Sequence, residues 1–195
     1  MGRWEPESRR RLEEAALALY GERGFENTTV AEIAERAGLT ERTYFRHFPD
    51  KREVLFLGGA AFQEFLVARV DGAPPAEAPL GVVTAAFVAV AEVHFEPRRR
   101  FVEQRQSVIE ANAELREREL VKMATLGTAM ADALRRRGVG DPAAGLAAEA
   151  GIAVFRIAFE AWVRGADDRS LADHIRAAAD ELGRVTAARV PGGGR

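Results

Sequence analysis

The chain has 195 residues, of which 47% are hydrophobic and 30% are charged, and it contains no cysteine. This balance is typical of a globular protein with one or two cores, and the lack of cysteine excludes disulfides and thiol catalysis. The net charge of −2 excludes a uniformly basic nucleic-acid binder, so any contact with DNA must come from locally placed cations.

The N-terminal sequence has no apolar run of the kind that a signal peptide needs. The longest apolar stretch, Val82 to Val93, is interrupted by Thr84 and Glu92 and is too short to span a bilayer. We therefore expect a cytoplasmic protein that does not contact membranes.

Three short helices are predicted within residues 1–50, which we interpret as the first domain. Apolar residues at helical spacing mark the inner face of the first helix: Leu12, Ala15, Ala16, Leu19 and Tyr20. Thr29 and Glu32 form a capping-box pattern at the start of the second helix. Thr40 is the predicted N-cap of the third helix, which ends before Pro49.

Longer helices are predicted in residues 51–190, which we interpret as a second domain. Its first part, residues 51–70, reads as a connecting helix, and the proline-rich stretch Asp71–Gly81 follows as a linker. We expect about nine helices in all, no strand and therefore an all-α fold. Residues 191–195, PGGGR, read as a flexible tail.

Residues 29–48 have the spacing of a helix-turn-helix motif. Ala34 lets the second helix approach the third, and Gly38 occupies the turn, where a positive φ is easiest without a Cβ. Tyr44 and Phe48 lie four residues apart on the third helix and are predicted to face the core. The opposite side of that helix is then free to enter a DNA major groove.

The outer side of the third helix carries residues suited to DNA. Glu41, Arg42 and Phe45 share it; Arg42 can reach guanine O6 and N7 or a phosphate, and Phe45 can cover a thymine methyl group. Lys51 is placed to meet a phosphate together with free helix amides. An ordinary helical hairpin with a solvated basic face is the alternative. The run Arg9–Arg11 is open between an arm on DNA and a solvated helix face.

The segment Phe25 to Phe56, FENTTVAEIAERAGLTERTYFRHFPDKREVLF, resembles the TetR-type one-component repressors. The likeness rests on a Gly-x-Thr turn, two adjacent aromatics, and Phe-Pro-Asp-Lys before the next helix. It implies an N-terminal helix-turn-helix domain and a C-terminal helical domain for ligand binding and dimerisation. It also implies a homodimer, joined by a four-helix bundle of the last two helices, that binds double-stranded operator DNA.

The resemblance also implies which residues contact DNA. They are Thr29, Thr40, Glu41, Arg42, Thr43, Phe45, Arg46, His47 and Lys51. Thr29 and Lys51 would contact phosphates, while the start of the third helix would face the groove. Phe45 stands where family members most often have tyrosine, so a phosphate contact through a phenol is missing here. Arg46 or His47 compensates in this interpretation, although a structural hydrogen bond is an equal alternative for His47.

Aromatic and soft side chains at helical spacing in the second domain are open to two interpretations, a ligand pocket or simple core packing. The predicted pocket residues are Phe87, His94, Phe101, Gln104, Met123, Phe155, Phe159 and Trp162. Such a pocket is largely apolar, with His94 or Gln104 as polar anchors, and would take a hydrophobic effector. The spacing of histidines and carboxylates predicts no metal site, and no cofactor is predicted.

The helix predicted from Ala143 to Arg164 is apolar on most of its surface. Its four charged residues fall within one narrow stripe, so three sides need cover. Together with the last helix, which opens at Ser170, it invites a symmetric partner. The predicted interface comprises Ala150, Val154, Ala158, Leu171, Ile175, Ala178, Leu182 and Val185.

Together with these patterns, the resemblance implies a ligand-responsive transcriptional regulator, specifically a repressor released from a palindromic operator by a small apolar effector. An activator, or a regulator that answers to a protein partner, has the same sequence features. A helical enzyme is disfavoured because the chain has no Gly-x-Ser-x-Gly, HExxH or phosphate-binding glycine-rich motif. A helical module without DNA affinity is the remaining alternative.

Overall fold

The computed structural model describes residues 4–56, 60–165 and 167–187, with side chains from Glu7 onward. Within these ranges the chain is helical and contains no strand, which confirms the all-α prediction. The described α-helices are α1 (Trp4–Arg23), α2 (Val30–Arg36), α3 (Glu41–His47), α4 (Ala60–Asp71), α5 (Pro79–Val90), α6 (Arg99–Glu110), α7 (Ala113–Arg136), α8 (Ala143–Val163) and α9 (Leu171–Ala187). The predicted tail, residues 191–195, lies outside the described residues.

Three short turns of other helical types connect these elements. A 3₁₀ turn, Glu53–Leu55, follows α3, and a π-helical turn, Ala91–Phe95, extends α5 and is followed by a second 3₁₀ turn, Glu96–Arg98. The predicted connecting helix therefore begins later than residue 51. The side chain of Asp50 accepts hydrogen bonds from the amides of Arg52 and Glu53 at 2.8 and 3.2 Å, and this cap closes a single 3₁₀ turn.

The first compact unit combines two stretches of chain, Met1–Phe62 and Arg99–Lys122. It differs from the predicted domain of residues 1–50 because α6 and the first half of α7 belong to it. Its core joins side chains from α1, α2, α3, α6, α7 and the segments between them, among them Leu12, Tyr20, Phe25, Ile33, Tyr44, Phe48, Leu55, Ile109 and Leu115. Burial of these large apolar groups supplies most of the stability of the unit.

Ion pairs attach α7 to the segment that follows α3. The carboxylate of Glu53, which is buried, lies 2.7 Å from Arg118 Nη2 and 2.8 Å from Lys122 Nζ. Lys122 also lies over the ring of Phe56, with its ammonium 5.4 Å from the centroid. These partners are more than sixty residues apart in the chain, so their spacing could not be read from the sequence.

A buried arginine attaches α6 to the same segment. The guanidinium of Arg105 donates through Nε to the carbonyl of Leu55, and its Nη2 lies 3.0 Å from a carboxylate oxygen of Glu119. Burial lowers the pKa of Arg105, and the Glu119 carboxylate opposes that shift. Removing Glu119 would leave the buried guanidinium of Arg105 without its counter-charge.

The second compact unit comprises Gln63–Arg98 and Met123–Arg195, and its core is built by α5, α8 and α9. Gly151 allows the close approach of α8 to α5, because a Cβ at that position would lie 2.1 Å from Cγ1 of Val83. The proline-rich linker is held by Arg137, which donates to the carbonyls of Ala73 and Pro74 at 2.6 and 2.8 Å.

The helical run Pro79–Glu110 is long and apolar enough to cross a membrane by length and composition alone. Its most apolar part is α5, where Val82, Val83, Phe87 and Val90 are fully buried in the second unit. A core helix of a globular protein passes the same test of composition, so the run is weak evidence for a membrane span.

Candidate nucleic-acid interface

The start of α2 is fixed by the predicted capping box. The Oγ1 of Thr29 accepts a hydrogen bond from the amide of Glu32 at 3.3 Å, and the Thr29 amide donates to Glu32 Oε2 at 2.8 Å. Hydrogen bonds from the amide and hydroxyl of Thr29 lower the pKa of Glu32. The side chain of Thr29 is exposed, so the cap leaves it on the surface of the unit.

The turn between α2 and α3 depends on Gly38, whose φ is +63°. Arg11 of α1 donates through Nη2 to the carbonyls of Ala37 and Gly38, which end α2. A Cβ on Gly38 would lie 2.7 Å from that nitrogen, so the glycine is needed for the backbone and for the approach of Arg11. The sequence leaves two interpretations of the run Arg9–Arg11, an arm that contacts DNA or a solvated helix face. The hydrogen bonds of Arg11 to the end of α2 fit neither of them.

The inner side of α3 is formed by Tyr44 and Phe48, as the spacing predicted. Both side chains are fully buried, with ring centroids 5.3 Å apart. The hydroxyl of Tyr44 donates to the carbonyl of Asp50 at 3.2 Å, and burial raises the pKa of this phenol. At the start of the helix, Thr40 caps α3 by accepting from the amide of Thr43 at 3.2 Å.

The outer side of α3 presents polar and aromatic groups together. Glu41, Arg42 and Arg46 are exposed, and the ring of Phe45 is 53% exposed while its edge contacts Tyr44. Thr40 is also exposed, whereas Thr43 and His47 are half-buried. A cation beside an exposed ring on one short helix is suited to base edges, thymine methyl groups and phosphates of a duplex.

Lys51 does not lie free on this surface. Its Nζ donates to the backbone carbonyls of Phe25, Thr28 and Glu26 at 3.0, 3.4 and 3.5 Å and lies 4.2 Å from the centroid of the Phe25 ring. Its own carbonyl accepts a hydrogen bond from the Tyr20 hydroxyl at 2.6 Å. In the DNA-free structure the ammonium therefore contacts the loop between α1 and α2, and its contact with a phosphate stays a prediction.

Four of the predicted pocket residues come together in the second unit. Phe87, Phe155, Phe159 and Trp162 are buried and form a chain of ring contacts, of which Phe87–Phe155 is the closest at 4.7 Å. Phe95 also joins this chain, with centroids 5.6 Å from Phe155, and the sequence interpretation missed it. Its spacing of eight residues from Phe87 is a helical repeat that could have identified it.

The other four predicted pocket residues lie apart from this aromatic chain. His94 is half-buried in the π-helical turn, 4.9 Å from the ring of Phe65, and Met123 is half-buried in α7. Phe101 and Gln104 belong to α6 in the first unit, where they line a groove of about 430 Å³ beside α1. The structure therefore does not place all eight residues around one cavity.

The predicted dimer residues divide into buried and accessible groups. Val154, Ala158, Leu171 and Ile175 are buried inside the second unit, where α5, α8 and α9 cover one another. This corrects their assignment to a protomer surface. Ala150, Ala178 and Leu182 are half-buried and Val185 is 64% exposed.

Two exposed apolar residues of α8 were not predicted. Leu146 is 67% exposed and Ile157 is 57% exposed, and with Ala150 they repeat at intervals of four and seven residues along one side of the helix. Glu149 and Arg156 border this side and are exposed.

Among the residues that the structure describes, no group of three or more His, Cys, Asp or Glu side chains is placed to hold a metal ion.

A short helix that buries its inner face, follows a glycine turn and exposes cations on its outer face defines a helix-turn-helix protein. A family model for bacterial regulatory proteins of the tetR family matches residues 12–56. A second model, described as the MftR C-terminal domain, matches residues 77–187, which is more than half of the chain. The chain belongs to the TetR family of bacterial regulatory proteins.

Two curated relatives align with less than half of this chain, and each alignment covers less than half of the relative. The HTH-type transcriptional regulator TcmR of Streptomyces glaucescens is 40% identical over 83 residues, 43% of this chain and 37% of TcmR. The HTH-type transcriptional repressor KstR2 of Mycobacterium tuberculosis is 36% identical over 88 residues, 43% of this chain and 44% of KstR2. The chain thus spans less than half the length of the curated relatives it matches.

Solved structures match over nearly the whole chain. SmeT, the repressor of the Stenotrophomonas maltophilia multidrug efflux pump SmeDEF, has a TM-score of 0.59 at 19% identity and 94% coverage of both chains. FadR of Thermus thermophilus, a repressor solved in complex with lauroyl-CoA, has a TM-score of 0.52 at 24% identity, covering 96% of this chain and 100% of FadR. At these identities the likeness establishes the fold alone.

Proposed function

We propose that this protein is a cytoplasmic, sequence-specific transcriptional repressor that binds a palindromic operator and is released from it by a small, largely apolar effector. The observation that carries the proposal is the orientation of α3. Tyr44 and Phe48 fix its inner side in the core, while Arg42, Phe45 and Arg46 face outward. Catalysis forms no part of the proposal, because a regulator of this class acts through binding.

The proposed contacts separate base reading from phosphate binding. Arg42 lies in the first turn of α3 and reaches guanine O6 and N7, while Phe45 covers a thymine methyl group. Thr29, Thr40 and Thr43 lie at the starts of α2 and α3, where hydroxyls and helix amides meet phosphates. Arg46 and His47, in the last turn of α3, are the proposed replacements for the missing phenol.

A homodimer is proposed from the accessible apolar residues of α8 and α9. Leu146 and Ile157 of α8 and Val185 of α9 are each more than half exposed, and the half-buried Leu182 continues the α9 side. A symmetric pairing of these two helices would bury them all, and a twofold axis gives each surface the same partner. Two α3 helices about 34 Å apart would then fit successive major grooves.

The proposed effector site is the aromatic chain of the second unit, Phe87, Phe95, Phe155, Phe159 and Trp162. These rings offer a large apolar surface, and the neighbouring π-helical turn is a distortion that often marks functional sites in helices. The effector must bind the DNA-free form about 5.5 kcal/mol more tightly than the DNA-binding form to change the bound fraction from 99% to 1%.

Fluorescence anisotropy with labelled duplexes tests the function. The promoter region next to the protein's own gene is cut into overlapping fragments, and a shuffled duplex of equal length and composition is the control. We expect one fragment to bind at least a thousandfold more tightly than the control at 150 mM salt. Lipophilic compounds that raise the melting temperature should release that fragment. Equal affinity for every duplex, or thermal stabilisation without release, would contradict the proposal.

A further inference from the structure

The hydroxyl of Thr84, in the middle of α5, is buried without a hydrogen-bond partner. Its Oγ1 bonds to no donor or acceptor among the residues that the structure describes. A threonine within a helix ordinarily bonds through Oγ1 to the carbonyl four residues earlier, as Thr128 of α7 does with the carbonyl of Ala124 at 3.2 Å. Because a buried hydroxyl without a partner costs free energy, this group is suited to a partner from outside the chain.

Thr84 lies on the same side of α5 as the aromatic chain. Phe87 and Ala91 follow it after three and seven residues, which is the spacing of one helix face. Both side chains are fully buried in the second unit. Ala91 begins the π-helical turn that carries Phe95, another ring of the chain. The hydroxyl and the rings therefore face the same core.

The rings continue from the level of Thr84 in one direction along the core. Gly151 of α8 approaches Val83 of α5, since a Cβ on the glycine would lie 2.1 Å from Cγ1 of Val83. Two ring pairs between these segments follow further along the chain, Phe87–Phe155 at 4.7 Å and Phe95–Phe159 at 5.7 Å. Residue numbers thus rise together in both segments, and Thr84 lies before the first pair. Eleven residues separate Thr84 from Phe95, which is about 16 Å along a helix axis.

Within the described residues, this core offers an effector no unpaired charge. Among those residues of the second unit, His174 is the only buried one with a polar or charged side chain, and its Nε2 lies 3.1 Å from a carboxylate oxygen of Asp167. An ionised group of an effector would have no counter-charge here, which makes its burial costly. A neutral oxygen costs little to bury once it bonds to a hydroxyl.

We propose that Thr84 is the hydrogen-bonding residue of the effector site and selects an uncharged, elongated apolar molecule with a hydroxyl or carbonyl oxygen at one end. The inference rests on the proposed effector site in the aromatic chain and adds the chemistry of the ligand to it. The oxygen of the effector bonds to Thr84 Oγ1, while the apolar body lies along the rings toward Trp162. A threonine hydroxyl both donates and accepts, so it can bond to either kind of oxygen.

Two rigid probes of nearly equal shape test the role of this hydroxyl. Biphenyl-4-ol carries a terminal hydroxyl, and 4-methylbiphenyl carries a methyl group in its place. Isothermal titration calorimetry gives the dissociation constant of each probe for the full-length wild type and for Thr84→Val, which replaces the hydroxyl by a methyl group. Thr128→Val, at a threonine that bonds to its own helix, is the matched control, and Thr84→Ser retains the oxygen.

We expect Thr84→Val to bind biphenyl-4-ol about tenfold more weakly than the wild type does, and to bind 4-methylbiphenyl at least as tightly. Thr128→Val and Thr84→Ser should keep the wild-type ratio of the two dissociation constants. An unchanged ratio in Thr84→Val, an equal loss for both probes, or binding of neither probe to the wild type would overturn the inference.

The stability of Thr84→Val gives a second readout. A hydroxyl without a partner in the free protein can be replaced by a methyl group without loss, so the variant should melt no lower than the wild type. A lower melting temperature, or a variant that does not fold, would show that the hydroxyl is already bonded inside the protein and would overturn the inference.

Failure of the proposed function is distinguishable from failure of this inference. If the wild type prefers no duplex, operator binding is refuted, while the ratio of the probe affinities still decides the role of Thr84. If other lipophilic compounds release the operator but neither biphenyl binds, the inference alone fails.

Discussion

Replacing Gly38 by alanine perturbs the turn between α2 and α3 in two ways that can be separated. The backbone at this position has a φ of +63°, and an L-residue held there costs about 1–2 kcal/mol. Alanine also makes the unfolded chain less flexible, which offsets about 0.4–1 kcal/mol of that cost. The net backbone effect is therefore about 1 kcal/mol.

The second effect acts through Arg11. The new Cβ would lie 2.7 Å from Arg11 Nη2, so the guanidinium must move away from the carbonyls of Ala37 and Gly38. Loss of a hydrogen bond from a charged donor costs about 1.5–3 kcal/mol. We expect Gly38→Ala to lower the free energy of unfolding by about 2.5–4 kcal/mol in total.

Gly24 provides the matched control. Its φ is +81°, and nothing lies within 4 Å of a Cβ placed there, so Gly24→Ala should cost only about 1 kcal/mol. In an Arg11→Met background, Gly38→Ala should also cost only about 1 kcal/mol. Urea unfolding measures the free energies, and amide exchange in α2 and α3 shows whether the loss is local. Equal costs at the two glycines, or no coupling to Arg11, would refute the reasoning.

Two further outcomes follow from the structure. Ile157→Glu places a charge on the exposed apolar side of α8 and should convert the proposed dimer to monomers in sedimentation velocity. Leu120→Glu, at the similarly exposed Leu120 of α7, should leave the proposed dimer intact. Dimers of both variants would place the interface elsewhere. The Thr29 amide holds the pKa of Glu32 below its ordinary value of 4.5, so this cap stabilises α2 above that pH and is lost as the pH falls through the lowered pKa. Wild type should therefore exceed Glu32→Gln in urea midpoint at pH 7, and the difference should shrink as the pH is lowered below 4.5. A difference that does not change with pH would contradict the assignment.

Local features of the fold could be predicted because they depend on residues a few positions apart. Thr29 and Glu32 are three residues apart, and their capping box follows from that spacing. Tyr44 and Phe48 are four residues apart, and helical periodicity alone gives their common inner side. The all-α architecture follows in the same way from apolar spacing along each helix.

Contacts between distant residues could not be predicted by the same reasoning. Lys51 bonds to carbonyls 23–26 residues away, and backbone carbonyls leave no signature in a sequence. In the first unit, α6 is joined to the segment after α3 by the bond from Arg105 to Leu55, fifty residues away, and it packs Ile109 into the core. Sequence spacing predicts which residues share a helix face, and packing decides what covers that face.

The same limit applies to the proposed dimer interface. The sequence assigns the apolar surface of α8 to a second protomer, but α5 and α9 of the same chain cover much of it. Val154 and Ala158 are buried in this way, whereas Ile157 is left exposed. Only the arrangement of three helices decides which apolar residues remain for a partner.

Selection of binding sites from random duplex DNA tests most directly whether the outer side of α3 reads bases. The wild type should enrich a palindromic motif, and Arg42→Ala should lose preference at one symmetric pair of positions with a loss of about 1–3 kcal/mol in affinity. Enrichment of no motif by the wild type, or an unchanged motif and affinity for Arg42→Ala, would contradict the assignment of this surface.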